Sequence, residues 1–213
     1  GRIFIKSGFS TSKSSGTFGV ITADSGTNGV SGYMVMSTGL SNQGNTGAMY
    51  LGTGISNSGR GGSIYVTVGS GNSGSGGELV FSAGDSGMHS GGRIVIKTGE
   101  GSATSSGSLL MATANAGVSG VSGYMVLSTG DSTAGNSGSM LFGSGTSVSG
   151  RGGAISITVG SGTSGAGGDV IVTAGGASEA VATATGGQML MSAGTSASQT
   201  GGRIFIKSGF STS

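Results

Sequence analysis

The sequence predicts an all-β protein: a parallel β-solenoid, or β-helix, with coils of about fifteen residues and a flat, two-sided cross-section. Apolar residues alternate with other residues over short segments, glycine bounds each segment, and the pattern recurs along the chain without a break. A helical fold is disfavoured because 51 of the 213 residues are glycine, which destabilises helix interiors.

The pattern is counted in repeats that each begin at a leading glycine, which we call position 1. Most repeats have fifteen residues, the two at Gly16 and Gly107 have sixteen, and the one at Gly168 has nineteen. The leading glycines are Gly1, Gly16, Gly32, Gly47, Gly62, Gly77, Gly92, Gly107, Gly123, Gly138, Gly153, Gly168, Gly187 and Gly202. Glycine at the corners of a thin coil would allow sharp turns and close backbone approach.

A second, longer period organises these repeats into blocks. Residues 1–91 form a block of six repeats, and residues 92–201 form a related block of seven. Residues 202–213 are identical to the first twelve and start the next period. We therefore expect residues 1–213 to be a single repeat array, a window of a longer tandem sequence.

Positions 3 and 5 of the repeats are apolar and are predicted to form the dry interior of the solenoid. Methionine is frequent among them, as expected for a flexible side chain that fills gaps in a thin core. Small residues at position 7, such as Thr38 and Ala83, would narrow that interior. This core ladder includes Ile3, Ile5, Met34, Met36, Ile64, Val66, Leu79, Phe81, Ile94, Ile96, Met125, Leu127, Ile155, Ile157, Met189 and Met191.

Position 4 is also apolar in most repeats and would point out of the solenoid. A continuous apolar surface of this kind is typical of an interface, so we predict that it mediates lateral assembly. In the alternative, one wider fold buries both faces. This outer stripe consists of Phe4, Val35, Tyr50, Tyr65, Val80, Val95, Leu110, Val126, Leu141, Ile171, Leu190 and Phe205.

The composition argues against several classes of function. Only 8% of the residues are charged and the net charge is +2, with no basic run to follow a phosphate backbone, so we expect no nucleic-acid partner. No apolar stretch approaches the length of a membrane span, about 20 residues. There is no cysteine, and we predict neither metal nor cofactor. The many Ser and Thr residues leave O-glycosylation open.

Basic residues recur at positions 2 and 6 once per block, on either side of the outer stripe. Glu78 stands at position 2 one repeat before Arg93, which favours an axial ion pair. We interpret these charges as markers of register and spacing, with contact to an acidic partner or a glycan as the alternative. The basic pairs are Arg2 and Lys6, Arg93 and Lys97, and Arg203 and Lys207.

Two motifs resemble catalytic or nucleotide-binding sequences but follow the repeat. The segment 84–87 spells Gly-Asp-Ser-Gly near His89, the only histidine, yet it occupies the turn position of its repeat. A catalytic triad needs a third group to orient the histidine. Residues 69–74 and 160–165 match Gly-x-Gly-x-x-Gly, but the dinucleotide site requires a following helix, which the repeat does not predict. We therefore predict no catalytic residue and no enzyme.

The phrase at residues 152–175, Gly-Gly-Ala-Ile-Ser-Ile-Thr-Val-Gly followed by a Gly/Ser-rich stretch and Gly-Asp-Val-Ile-Val-Thr-Ala-Gly, represents the style of the whole chain. In that style the chain resembles the long Gly/Ser-rich tandem-repeat β-solenoid proteins of microalgae and other protists. The resemblance implies a secreted or cell-surface protein, a component of a filament or appendage. It carries over no enzymatic activity.

These observations predict a structural protein, a segment or subunit of an extracellular filament that assembles with copies of itself end to end and laterally. Uncapped parallel edges would template such stacking. The alternative is a ligand-binding solenoid, either a carbohydrate-binding or adhesin surface or an ice-binding one. An ice-binding face would need a regular Thr array, and the Ser/Thr half of these repeats varies from one to the next.

Overall fold

A computed structural model of the chain describes residues 1–177 and 185–209. Within these ranges the chain forms no helix and no strand, so there are no element bounds to give. Turns and bends recur instead at the centre of the Gly/Ser-rich half of the repeats. The prediction of an all-β parallel β-solenoid with a flat, two-sided coil is therefore wrong for this structure.

The chain divides into two units, Gly1–Leu109 and Leu110–Ser213. The division falls inside the repeat that begins at Gly107, whereas the two sequence blocks meet between residues 91 and 92. The blocks are defined by similarity of sequence, whereas the units are defined by which residues lie close together in space. The single repeat array accordingly stays a prediction, and each unit is built from the same closed loops.

In five repeats a loop is closed by a hydrogen bond from the next leading glycine back to position 8. The Gly16 N–H donates to the Gly8 carbonyl at 2.9 Å, and the Gly92 N–H donates to the Gly84 carbonyl at 2.8 Å. Further closures of the same kind join Gly107 to Gly99 at 3.0 Å, Gly202 to Gly194 at 2.8 Å, and Gly187 to Gly175 at 2.8 Å. The last of these belongs to the nineteen-residue repeat, so four extra residues leave the closure intact.

Where this local closure forms, it competes with the stacking that a solenoid requires. In a solenoid the Gly16 N–H would pair with the repeat below, about fifteen residues earlier. Here the Gly16 N–H donates instead to the Gly8 carbonyl, eight residues earlier. A backbone N–H is a single donor, so this bond excludes the other. The described part of the chain makes only seven backbone–backbone hydrogen bonds, where an ordinary fold of this length makes about 140. The apolar segments are therefore left without a ladder.

Position 7 lies against the leading glycine at every closure from Gly16 to Gly202. A Cβ atom built on Gly62 would be 3.1 Å from Thr53 Cβ, and one built on Gly77 would be 2.7 Å from Val68 Cγ1. Position 7 was predicted to narrow a solenoid interior, and instead it closes the loop. The leading residue is glycine because a larger side chain would push the two ends of the loop apart.

In three repeats the position 7 hydroxyl also closes the loop. The Ser144 hydroxyl donates to the Gly153 carbonyl at 2.7 Å. The Thr22 hydroxyl donates to the Gly32 carbonyl at 3.2 Å, and Thr53 to Gly62 at 3.3 Å. These loops thus use a side chain for a closure that others make with the backbone.

The tips of the loops are held by serine at position 10. The Ser10 hydroxyl oxygen accepts from the Lys13 N–H at 2.8 Å, the local bond typical of a serine turn. The same bond joins Ser86 to His89 at 3.0 Å. It also joins Ser132 to Gly135 at 3.1 Å and Ser196 to Gln199 at 3.0 Å.

No side chain in the described part of the chain is buried. The accessible surface is 21662 Å² for a mass of 20.0 kDa, whereas a compact monomer of that mass exposes about 8700 Å² and an unfolded chain about 29000 Å². The predicted dry interior is therefore wrong for this structure, and so is the alternative of a wider fold that buries both faces. The exposed core ladder residues are Ile3, Ile5, Met34, Met36, Ile64, Val66, Leu79, Phe81, Ile94, Ile96, Met125, Leu127, Ile155, Ile157, Met189 and Met191.

Candidate functional site

The candidate site is a surface. Within residues 1–177 and 185–209 no pocket is enclosed, and no three side chains of the types that hold metal ions come together. The chemistry that the described residues offer is an exposed, periodic arrangement of apolar side chains with a few charges. The apolar side chains and the charges are thus the two features of this surface.

All twelve residues of the outer stripe are exposed, as are those of the core ladder. Their neighbours at positions 3 and 5 are less exposed in most repeats. Leu110 is 87% exposed, and Leu109 and Met111 on either side of it are 55% and 56% exposed. The exposed fraction of the side chains thus alternates from one residue to the next, although the described chain forms no sheet. Whether the stripe serves as an assembly interface stays a prediction.

Tyrosine and phenylalanine give the stripe its largest side chains. Tyr50 and Tyr65 stand at position 4 of consecutive repeats and are 93% and 86% exposed. Phe4 and Phe205 occupy the same position in the first and last repeats, where they are also exposed. Aromatic side chains of this size contribute most to interfaces when they are covered. The stripe therefore offers anchors that the chain itself leaves in water.

The predicted axial ion pair is absent from this structure. Glu78 and Arg93 are both exposed, and no ion pair joins them. The reason is the local closure of the loop at residues 84–92, which replaces the stacking that would bring the two side chains together. Lys6 and Lys97 are likewise exposed. These four charged side chains consequently lie at the surface of the unit Gly1–Leu109.

Ser86 and His89, the residues of the protease-like motif, lie in one serine turn. The Ser86 hydroxyl oxygen accepts the backbone N–H of His89 at 3.0 Å. That contact uses the histidine backbone, so no imidazole is directed at the hydroxyl by it. Both residues are exposed at the loop tip. Ser86 thus holds a turn, as its position in the repeat predicts.

The two Gly-x-Gly-x-x-Gly segments lie in loop tips as well. No helix follows residues 69–74 or 160–165 in the described chain, so the helix N-terminus that would face a pyrophosphate is missing there. Gly74 instead adopts a φ of 115°, in the region that favours glycine. The turn therefore requires glycine at position 74.

Sequence reasoning missed the roles of positions 7 and 10. Serine recurs at position 10 in seven of the fifteen-residue repeats, and this recurrence was a usable signal because serine favours such turns. Those serines are Ser10, Ser41, Ser56, Ser86, Ser132, Ser147 and Ser196. The contact of position 7 with a leading glycine nine residues later had no comparable signal.

Comparison of the chain with protein-family models, curated proteins and solved structures finds no match. A helix long and apolar enough to cross a membrane does not occur in the described ranges. Function must therefore be argued from the surface itself.

Proposed function

We propose that this chain is a structural protein, a segment or subunit of an extracellular filament or surface appendage that assembles from copies of itself. One observation carries the proposal. Apolar side chains recur at fixed positions in nearly every repeat, and all of those described are exposed. A surface of this kind is covered by a partner in a working protein.

The composition makes an isolated open chain unfavourable in water. The mean hydropathy is +0.19 and only 8% of the residues are charged, whereas chains that stay open are poorly hydrophobic and highly charged. The chain exposes about 13000 Å² more than a compact monomer of its mass. Burial of apolar surface contributes about 25 cal/mol per Å². Covering the apolar part of this exposed surface would therefore stabilise an assembled state.

Copies of the same chain are the partners that fit best. Every repeat presents the same spacing of apolar positions, so each repeat matches the repeats of another copy. The backbone N–H and C=O groups of the apolar segments also lack a backbone ladder in the described chain. Unpaired backbone groups beside apolar side chains favour pairing with like segments. This geometry supports the proposal of lateral assembly through the outer stripe, Phe4 to Phe205.

An extracellular location is supported by the resemblance to Gly/Ser-rich repeat proteins of microalgae and other protists. The absence of cysteine is compatible with an oxidising or a reducing compartment. Glycans are further candidate partners because Ser and Thr are abundant in the exposed loops.

Assembly of the purified full chain tests the proposal. We expect sedimentation to show a critical concentration above which the chain leaves the monomer fraction, and electron microscopy to show filaments. A control chain with the same composition in shuffled order should give no filaments, because only the repeat brings like positions together. A chain that stays monomeric at all concentrations, or a shuffled control that forms the same filaments, would overturn the proposal.

The same samples address the ligand-binding alternative. Thermal hysteresis measured on the monomer would favour an ice-binding role, and retention on a glycan array would favour a carbohydrate-binding one. A filament-forming chain with neither property would leave the structural role as the better account.

A further inference from the structure

Charged residues recur at position 2 of the repeat, and those at residues 78 and 93 form no ion pair within the described chain. Acids stand there in the repeats at Gly77 and Gly168, as Glu78 and Asp169. Arginine stands there in the repeats at Gly1, Gly92 and Gly202. An acidic repeat therefore directly precedes the basic repeat at Gly92. Other repeats have uncharged residues at this position.

The segments 78–82 and 93–97 are both open to a partner. We call them the acidic segment and the basic segment. The charged residues of both, Glu78, Arg93 and Lys97, are exposed, and none of them forms an ion pair. The backbone of neither segment takes part in a backbone–backbone hydrogen bond, since the closures nearby use Gly84, Gly92 and Gly99. Both segments therefore offer side chains and backbone together.

We propose that the acidic segment of one copy pairs with the basic segment of a second copy, parallel and in register. The inference rests on the proposed function, because it names the contact through which copies assemble. In that alignment Glu78 lies opposite Arg93, Val80 lies opposite Val95, and Ser82 lies opposite Lys97. The opposite charges attract, and no like charges are brought together.

Other alignments of these segments are less favourable. A basic segment against its own counterpart in register places Arg93 opposite Arg93 and Lys97 opposite Lys97, and like charges directly across a strand pair destabilise it. Two acidic segments place Glu78 opposite Glu78. Charge thus selects the mixed pair, in the way that interfaces use repulsion to exclude wrong partners.

The apolar residues of the two segments supply the surface that is buried when the segments pair, and the charges set the alignment of the pair. Leu79 and Phe81 flank Val80, and Ile94 and Ile96 flank Val95, so all three central positions of both segments are apolar. Each is more than half exposed in the described chain. An exposed ion pair contributes only about 0–1 kcal/mol. We therefore assign affinity to the apolar side chains and register to the charges.

The parallel pair displaces one copy from the next by one repeat, which makes the assembly open-ended. The first copy uses its acidic segment on the second, and the second still has its own acidic segment for a third. A contact between two different patches propagates in this way unless it closes into a ring. An antiparallel pair would differ, because Glu78 would then lie opposite Lys97 and two copies would satisfy each other in a closed dimer.

Charge reversal tests the pairing through the critical concentration of the full chain. We expect Glu78→Arg and Arg93→Glu each to raise it about two- to fivefold, the range that an exposed pair of about 0.5–1 kcal/mol allows. The double variant should return to within twofold of the unchanged chain. Asp85→Arg makes the same change of charge as Glu78→Arg in the exposed loop of the same repeat, and it should leave the critical concentration unchanged.

Mixing the two single variants shows whether the pair joins different copies. Copies with Glu78→Arg have arginine at both residues 78 and 93, and copies with Arg93→Glu have glutamate at both. Each copy in an equimolar mixture therefore finds the opposite charge on the other kind of copy, and the mixture should assemble near the critical concentration of the unchanged chain. A mixture that is as weak as its components would overturn the proposal. So would a larger effect of Lys97→Glu than of Arg93→Glu, which would indicate the antiparallel dimer.

The two proposals fail in distinguishable ways. If the chain does not assemble with itself, the unchanged protein stays monomeric and the proposed function is lost. If the chain assembles but the single reversals, the mixture and Asp85→Arg all behave like the unchanged protein, the function stands and the pairing of acidic with basic segments is wrong.

Discussion

At the scale of single residues, glycine at a few positions allows backbone conformations and close approaches that other residues would not. A leading glycine lets its neighbour at position 7 approach closely, and Gly44 and Gly74, both at position 13, adopt positive φ angles of 146° and 115°. Side chains rarely tolerate either situation. The demands on glycine nevertheless differ between repeats, and this difference can be measured.

Gly101 and Gly71 form a matched pair at position 10. A Cβ atom on Gly101 would overlap the Ser105 carbonyl oxygen, whereas one on Gly71 would have no atom within 4 Å. We expect Gly101→Ala to open its loop and to speed exchange of the Gly107 amide severalfold, because that amide closes the loop on Gly99. Gly71→Ala should leave Gly107 unchanged. Equal effects of the two substitutions on the Gly107 amide would contradict the geometry.

Ser86 provides a second test at this scale. Its hydroxyl oxygen accepts the His89 N–H, and one such hydrogen bond contributes about 1 kcal/mol. We expect Ser86→Ala to accelerate exchange of the His89 amide about fivefold. Ser90→Ala, which removes a nearby hydroxyl that makes no hydrogen bond, is the control. An unchanged His89 amide would show that the turn does not depend on serine.

The closed loop is the recurring element of this chain. Its ends meet through a backbone bond, a position 7 hydroxyl or a side-chain contact, and eight residues separate the bonded groups in the common case. Loop closure costs little more as loops lengthen, which explains why the nineteen-residue repeat closes as well. The apolar half of each repeat is the segment between two loops.

Thr53 and Thr38 show whether the hydroxyl matters to the element. The Thr53 hydroxyl donates to the Gly62 carbonyl at 3.3 Å. Thr38 has the same position, and a Cβ atom built on Gly47 would be 3.6 Å from its Cγ2 atom, but its hydroxyl makes no such bond. We expect Thr53→Val to shift the carbonyl carbon resonance of Gly62 and to broaden the loop signals, and Thr38→Val to leave Gly47 nearly unchanged. A Gly62 resonance that does not move would argue for closure by contact alone.

Prediction from the sequence succeeded for the period and failed for the pairing of repeats. The leading glycines and the alternation at positions 3 to 5 are local features, and the structure shows a matching alternation in exposure. The turn predicted at residues 84–87 lies at residues 86–89, two residues further along the chain. Stacking of one repeat on the next is a long-range feature. Position 7 could serve as a core residue or as a loop closure with equal ease on sequence grounds, because threonine, alanine and valine suit both.

At the scale of the whole molecule, exposed apolar surface is the dominant property. The chain presents large apolar side chains in both units and buries none that the structure describes. Its behaviour in water should therefore depend on concentration more than that of a compact protein. The outer stripe is the part of this surface for which a sequence-based interface was predicted.

Leu110 and Val118 allow the stripe to be compared with a loop. Leu110 belongs to the stripe, and Val118 lies in a loop tip; both are strongly exposed in the isolated chain. We expect Leu110→Gln to raise the critical concentration for assembly at least tenfold, since burial of leucine contributes about 1.5–3 kcal/mol. Val118→Gln should have little effect. Similar shifts for both variants, measured by sedimentation, would contradict a specific stripe.

The sequence alone determined the repeat, its two blocks and the positions of its apolar and charged residues, because these are read directly along the chain. Only the tertiary structure decided that the leading glycines close local loops and that the apolar positions stay exposed. The reason is that each backbone N–H serves one main partner. A partner eight residues away competes with one in the next repeat, and spacing cannot predict which of them prevails.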